Sequence, residues 1–151
     1  MEKLIRGAFY EPEDAKAFWR ERGIDPDDER QRELGRVSSA SFGGHDHGGH
    51  AVTLMFDFGG TGQGLPSYEL SEPCRVSDDR ADWHRVGTAS GLTYVIRLCE
   101  LLRVDELHKA VGREVWCIRK GGLIIALEQK KLDGRLVFVQ EDFWRQYRSA
   151  P

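Results

Sequence analysis

Apolar residues alternate through "AVTLMFDF", residues 51–58, so that Val52, Leu54, Phe56 and Phe58 share one side. A period of two predicts a half-buried strand. "RVSSASF" (36–42) is a weaker strand candidate, and the glycine- and histidine-rich segment between the two reads as a hairpin loop. "LPSYEL" (65–70) is expected to return as a third strand. The period changes in "TASGLTYVIRLCELLRV", residues 88–104. There Leu92, Val95, Ile96, Cys99 and Leu102 stand at helical spacing and predict one buried stripe, with Thr88 or Ser90 capping the start. "VDELHKAVG" (104–112) predicts a short helix capped by Asp105 and closed by Gly112. The apolar runs at 113–119, 123–131 and 136–139, joined by "KGG" and "LDGR", predict a three-stranded meander. "QEDFWRQYR" (140–148) predicts a closing helix with Phe143, Trp144 and Tyr147 available to pack.

The first thirty-five residues follow a different grammar. "KLIRGAF" (3–9) looks like a short strand. "EPEDAKAFWRERG" (11–23) carries Pro12 and acids early, arginines late and Gly23 at its end, and Trp19 should anchor that helix. "IDPDDERQRELG" (24–35) repeats the signals with almost no apolar residue, which predicts a surface helix. Residues 71–87 are polar and irregular. The expected architecture is one α+β domain over residues 1–151. Antiparallel strands pack on one main helix, and residues 1–35 form an added amino-terminal helical element.

Composition narrows the function classes. The 151 residues carry Lys+Arg 22 against Asp+Glu 25, a formal net charge of -3, with both signs scattered. No basic stripe announces nucleic acid. No apolar run approaches the ~20 residues of a membrane helix. Cys74, Cys99 and Cys117 are odd in number and lack CxxC spacing, so they read as reduced thiols of a cytoplasmic protein. The amino terminus lacks the apolar stretch of a signal peptide.

Two stretches carry candidate chemistry. "DFGGTGQG" (57–64) supplies Gly59, Gly60, Thr61, Gly62, Gln63 and Gly64. It fails as a P-loop because Leu65 and Pro66 stand where Lys and Ser/Thr belong. It fails as a dinucleotide fingerprint because Pro66 removes an amide that a helix start would need. Two readings stay open: a plain turn, or a loop whose N–H groups converge on an anion or partner with help from Gln63. The second stretch, "GGHDHGGH", places His45, His47 and His50 where imidazoles could hold zinc. The opposing reading is a solvated loop that orients ligands poorly. Cys99 and Cys117 look structural, and no serine has an evident triad. Trp83, flanked by Arg80, His84 and Arg85, could stack on a base or peptide, or pin a loop.

From Val37 onward the chain resembles a family of small uncharacterised proteins encoded by tailed phages and prophages. The likeness rests on "GHDHGGHAVTLMFDFGGTGQGLPSYEL", on "VGTASGLTYVIRLCELLRVDELHKAVGREVWCI" and on "KGGLIIALEQ". Gly59, Gly60, Gln63 and Gly64 with Tyr68 and Leu70 are its most specific part. Leu65, Pro66 and Ser67 depart from a stretch usually richer in glycine, and the amino-terminal helices look added. The resemblance implies a phage or prophage accessory protein in a bacterial cytoplasm, binding host machinery or countering host defence. The expected function is a non-catalytic binding module without a cofactor, its partner a host or phage protein. Its contact residues are the glycine loop from Gly59 to Gly64 with Tyr68 and Trp83. The alternatives are a metal-dependent or ligand-binding enzyme centred on the histidine and glycine loops, and a nucleic-acid-associated protein using Trp83. Oligomeric state stays open.

Overall fold

The computed structural model describes residues 4–5, 8–44, 49–74, 77–79, 84–130 and 136–148. The fold is α+β. Eight strands form one sheet in the order β1-β2-β10-β9-β8-β3-β4-β5, and every neighbouring pair is antiparallel. In chain order these are β1 (Leu4–Ile5), β2 (Phe9–Tyr10), β3 (Arg32–Gly44), β4 (His50–Asp57), β5 (Gly62–Gly64), β8 (Glu114–Lys120), β9 (Leu123–Gln129) and β10 (Val137–Val139). A separate hairpin joins β6 (Ser71–Cys74) to β7 (His84–Gly87). The helices are α1 (Ala15–Glu21), α2 (Ala89–Leu102) and α3 (Gln140–Arg148), with a 3₁₀ turn over Leu107–Ala110.

Alternation along the strands sends apolar side chains to both faces of the sheet, and each face has its own helical cover. On one face α2 and α3 bury Val37, Leu54, Phe56, Val115, Leu127 and Phe138. Tyr94 is the hub there, ringed by Tyr68, Phe138, Phe143 and Trp144 at centroid distances of 5.1–5.9 Å. Its hydroxyl donates to Gln140 Oε1 at 2.5 Å. On the other face α1 brings Phe18 and Trp19 onto Tyr10, Ile118, Ala126, Val137 and Val139. A bulge opposite Ile118 and Arg119 lets Ile124 and Ala126, two residues apart, serve opposite faces.

Beneath α1 lies a buried ion pair. Glu128, fully buried, accepts from Arg32 Nε and Nη2 at 3.2 and 3.3 Å and from the Trp19 indole N–H at 2.9 Å. The Arg32 guanidinium also lies 4.0 Å over the Trp116 ring. The carboxylate is therefore satisfied on both oxygens, as burial of a charge requires.

Several expectations need correction. Residues 24–35 form no helix. Asp25 and Asp28 side chains accept from Asp27 N and Arg30 N and turn the chain, and Arg32–Arg36 then pair with β8. Sheet pairing overrides local helix grammar. The segment "LPSYEL" is no strand: its backbone meets β4 at its two ends, where Leu65 N and Leu70 N donate to Leu54 O and His50 O, and Pro66 has no amide to give. The third strand is β5. Residues 71–87, expected to be irregular, contain the β6–β7 hairpin. The helix expected over 104–112 is only the 3₁₀ turn, with Glu106 rather than Asp105 at its cap position. The amino-terminal residues are woven into the sheet, since β2 pairs with β10.

The largest correction is the phase of α2. Its buried side chains are Tyr94, Leu98, Leu101 and Leu102, with Gly91. Leu92 is 65% exposed and Ile96 43%. Val95 and Cys99 are half-buried. Of the expected stripe, only Leu102 is buried.

Candidate functional site

The glycine loop takes its shape from its own aspartate. Asp57 Oδ1 accepts from Gly59 N at 3.0 Å and Gly60 N at 3.3 Å, and Phe58 N donates to Thr61 O at 2.8 Å. The anion on which the N–H groups converge is thus the Asp57 carboxylate. Gly59 and Gly60 sit at φ +85° and +124°, where a β-carbon would strain the chain. Gln63 donates to Gly122 O at 2.7 Å and accepts from Arg119 Nε at 2.6 Å. Arg119 in turn bonds Glu33 at 2.9 Å and lies 4.3 Å over the Phe58 ring. The amide of Gln63 therefore ties β5 to the β8–β9 turn. Tyr68 stacks on Trp144 within the aromatic cluster. His45, His47 and Trp83 lie outside the described residues. His50 contacts Ser71 Oγ through Nδ1 at 3.0 Å and stacks on Phe42. Among the described residues no group of three His, Cys, Asp or Glu side chains could hold a metal.

A different place has the form of a site. An apolar groove of about 510 Å³ runs between the α2 amino-terminal half and Phe42 near the end of β3. Phe42, Leu70, Leu92, Val95 and Leu107 give it carbon walls, and Gly87–Ala89 close one end. Local sequence explains the geometry. Thr88 caps α2 by accepting from Gly91 N at 2.9 Å, and its N–H and hydroxyl both bond Leu70 O. A β-carbon on Gly91 would run into the Leu70 backbone, so glycine is what lets α2 settle there.

A polar knot braces one rim. Glu69 Oε1 accepts from His50 N at 2.7 Å and Ser71 Oγ at 3.0 Å, and pairs with Arg85 Nη2 at 3.1 Å. Ser71 Oγ accepts from Arg85 Nε at 3.2 Å and Nη2 at 3.1 Å. A β-carbon on Gly49 would collide with the Glu69 carboxylate, so that glycine admits the knot. The Ser71–His50 contact resembles half of a nucleophile–base pair. However, Ser71 is buried, and both of its acceptor directions face one guanidinium. A nucleophile must be reachable and relieved of its proton. The geometry instead ties the β6–β7 hairpin to the β4 start. The thiols offer no better nucleophile: burial pushes the Cys117 thiol up to about 12, and burial, then Asp105 and Glu100, hold Cys99 above its ordinary value.

Sequence reasoning missed Phe42, Leu70, Arg85 and Leu107 as one surface. The available signal was on α2, which carries apolar residues on two sides although only one can lie on a sheet. The chain matches no protein-family model, no curated protein and no solved structure. Among the described residues no helix is long and apolar enough to cross a membrane.

Proposed function

We propose that this chain is a non-catalytic binding module whose groove and outer α2 face receive a protein. The observation that carries the reading is the apolar groove flanked by large exposed side chains, Leu92, Ile96 and Phe42. Contiguous apolar surface of this kind is costly to leave in water and marks contact sites. The resemblance to phage-encoded accessory proteins supplies the class of partner, a protein of the bacterial host or of the phage, in host machinery or in host defence. The same resemblance favours a site of action in the bacterial cytoplasm. The enzyme reading has less behind it, because the Ser71–His50 contact beside the groove is buried at Ser71 and tied to Arg85. The zinc reading rests on a histidine segment of which His50, already engaged by Ser71 and Phe42, is the described member. A nucleic-acid role would need unpaired cations along the groove, and Arg85 and Arg97 are both paired with glutamates.

The test is capture from host lysate, identification by mass spectrometry, and titration of the purified partner. Leu92→Glu or Phe42→Glu should weaken that binding more than about tenfold, since a carboxylate would be desolvated at the contact. Unchanged affinity in both variants assigns the contact to another face. Ester or peptide hydrolysis lost in Ser71→Ala would overturn the non-catalytic reading.

A further inference from the structure

We propose that the partner enters as an extended segment that adds a strand to β3, in the lane that β8 does not fill beyond Val37. This rests on the region being a protein contact and gives the form of that contact. β3 pairs with β4 from Arg36 to Gly44, but with β8 only from Arg32 to Arg36. Val37 closes the shorter ladder, donating to Arg113 O at 2.9 Å and accepting from Gly112 N at 2.8 Å. The chain before Arg113 leaves the lane in a turn closed by Arg113 N on Ala110 O. Which groups face the lane follows from the ladder. Leu54 O and His50 O point away from β3, since they accept from Leu65 N and Leu70 N. Along an antiparallel strand the N–H and C=O of one residue share a side, and the side alternates. Thr53 and Ala51 therefore bond towards β3, to Ser41 and Gly43 opposite them. That leaves the N–H and C=O of Ala40 and Phe42 facing the lane, where neither residue has a hydrogen-bond partner among the described residues.

The edge lacks the usual protection. Residues 38–44, "SSASFGG", hold no charge and no proline, and the bulge between Val37 and Ser39 precedes the open stretch without interrupting it. Ala40 is buried and Phe42 is 56% exposed, so an added strand would centre on Phe42. The two faces of the sheet then set its side chains. On the α2 side the Phe42 ring, Leu92 and Leu107 wall the groove, and Val111, 53% exposed, stands in the turn at the closed end of the lane. On the other side Ser39 and Ser41 meet water. Alternate side chains of the segment would therefore meet carbon and water. Charge favours a neutral segment. Glu69 faces Arg85, Glu100 faces Arg97, and Lys109 lies between Asp105 and Glu106, whose second acid is balanced by the exposed Arg103. At the closed end of the lane Arg36 and Arg113 stand with Glu114 and Asp57. No sign prevails, so the matching segment is uncharged and alternates apolar with polar residues.

The probe is a capped octapeptide of alternating valine and threonine, titrated into the isotope-labelled full chain and followed by amide hydrogen exchange. In the free chain the Phe42 amide should exchange at least about tenfold faster than that of Ser41, which β4 holds. The peptide should bind with a dissociation constant below about 1 mM and slow the Phe42 amide at least about tenfold, leaving Ser41 unchanged. The same peptide with every amide N-methylated keeps its side chains but has no donors, and should bind at least about tenfold more weakly. Three results overturn the proposal: a Phe42 amide as protected as that of Ser41 in the free chain, a dissociation constant above about 1 mM, or equal affinity of the two peptides. If Leu92→Glu weakens a captured host protein whose complex leaves the Phe42 amide exchanging freely, the added strand fails and the function reading stands. If the peptide pairs with β3 while Leu92→Glu and Phe42→Glu leave host capture intact, the function reading fails and the added strand stands.

Discussion

The two sides of α2 have nearly the same apolar content and opposite circumstances. On the inner side Tyr94, Leu98, Leu101 and Leu102 meet strands and α3 and are almost wholly buried. On the outer side Leu92 and Ile96 meet water, with Val95 and Cys99 half-covered beside the groove. The difference teaches that helical periodicity identifies a stripe but not its occupant. A helix with one apolar side has one place to go. A helix with two can place only one of them on its own sheet, and the sheet takes the side that carries the largest ring.

Substitutions on the two sides should therefore separate sharply. Leu98→Ala should have the largest effect, a loss of about 2–5 kcal/mol in denaturant unfolding from lost transfer energy plus a cavity. A change below about 0.5 kcal/mol, the level of a surface mutation, would mean the inner side is not the buried one. Tyr94→Phe should come next. It keeps the ring but leaves buried Gln140 Oε1 without the tyrosine donor, at roughly 1–3 kcal/mol.

The thiols extend the comparison to pH. Cys117 lies in the core on β8, and its pKa is raised from 9.0 to about 12 by burial. In the unfolded chain the thiol ionises above about 9, while the folded thiol keeps its proton. The stability it contributes is complete below pH 9 and is lost as pH climbs towards 12. Native protein at pH 8 should accept maleimide at Cys99, on the outer stripe, well before Cys117, and Cys117 should label only on unfolding. Equal labelling rates would place Cys117 outside the core. The smallest effect is expected of Ile96→Ala under dilute conditions, within about 0.5 kcal/mol of wild type. A loss of about 2 kcal/mol or more would return Ile96 to the interior.

Much of the fold was legible. Strand alternation located β4, apolar runs between glycine turns located β8 and β9, and the aromatic segment 140–148 is α3, whereas α1 begins at Ala15 behind an Asp14 cap and not at Pro12. What misled was signal shared by two structures. Asp25, Pro26 and the acids after them suit a helix start, yet the same side chains close turns, and only the register against β8 decides. Nothing local tells whether Leu92 or Tyr94 faces the sheet, because both stripes are apolar. The site was legible only in fragments. The glycine loop drew attention through composition, but its N–H groups are taken by Asp57 and its glutamine by Arg119 and Gly122. The groove is assembled from the end of β3, a loop, the end of β7, the start of α2 and the 3₁₀ turn. Its residues are far apart in sequence, and none stands out alone.

The pairing of β2 with β10 has a consequence for how the molecule is made. Tyr10 donates to Asp142, 132 residues further along, and Phe9 stands opposite Phe138 in the ladder. Contacts this distant in sequence close late, since a long stretch of chain must be ordered before they form. As the polypeptide leaves the ribosome, Phe18 and Trp19 emerge long before Val137 and Val139, against which they pack. During translation α1 has no completed surface on which to dock. The central hairpins can pair first, and the arrival of β10 then draws the early strand and its helix into place.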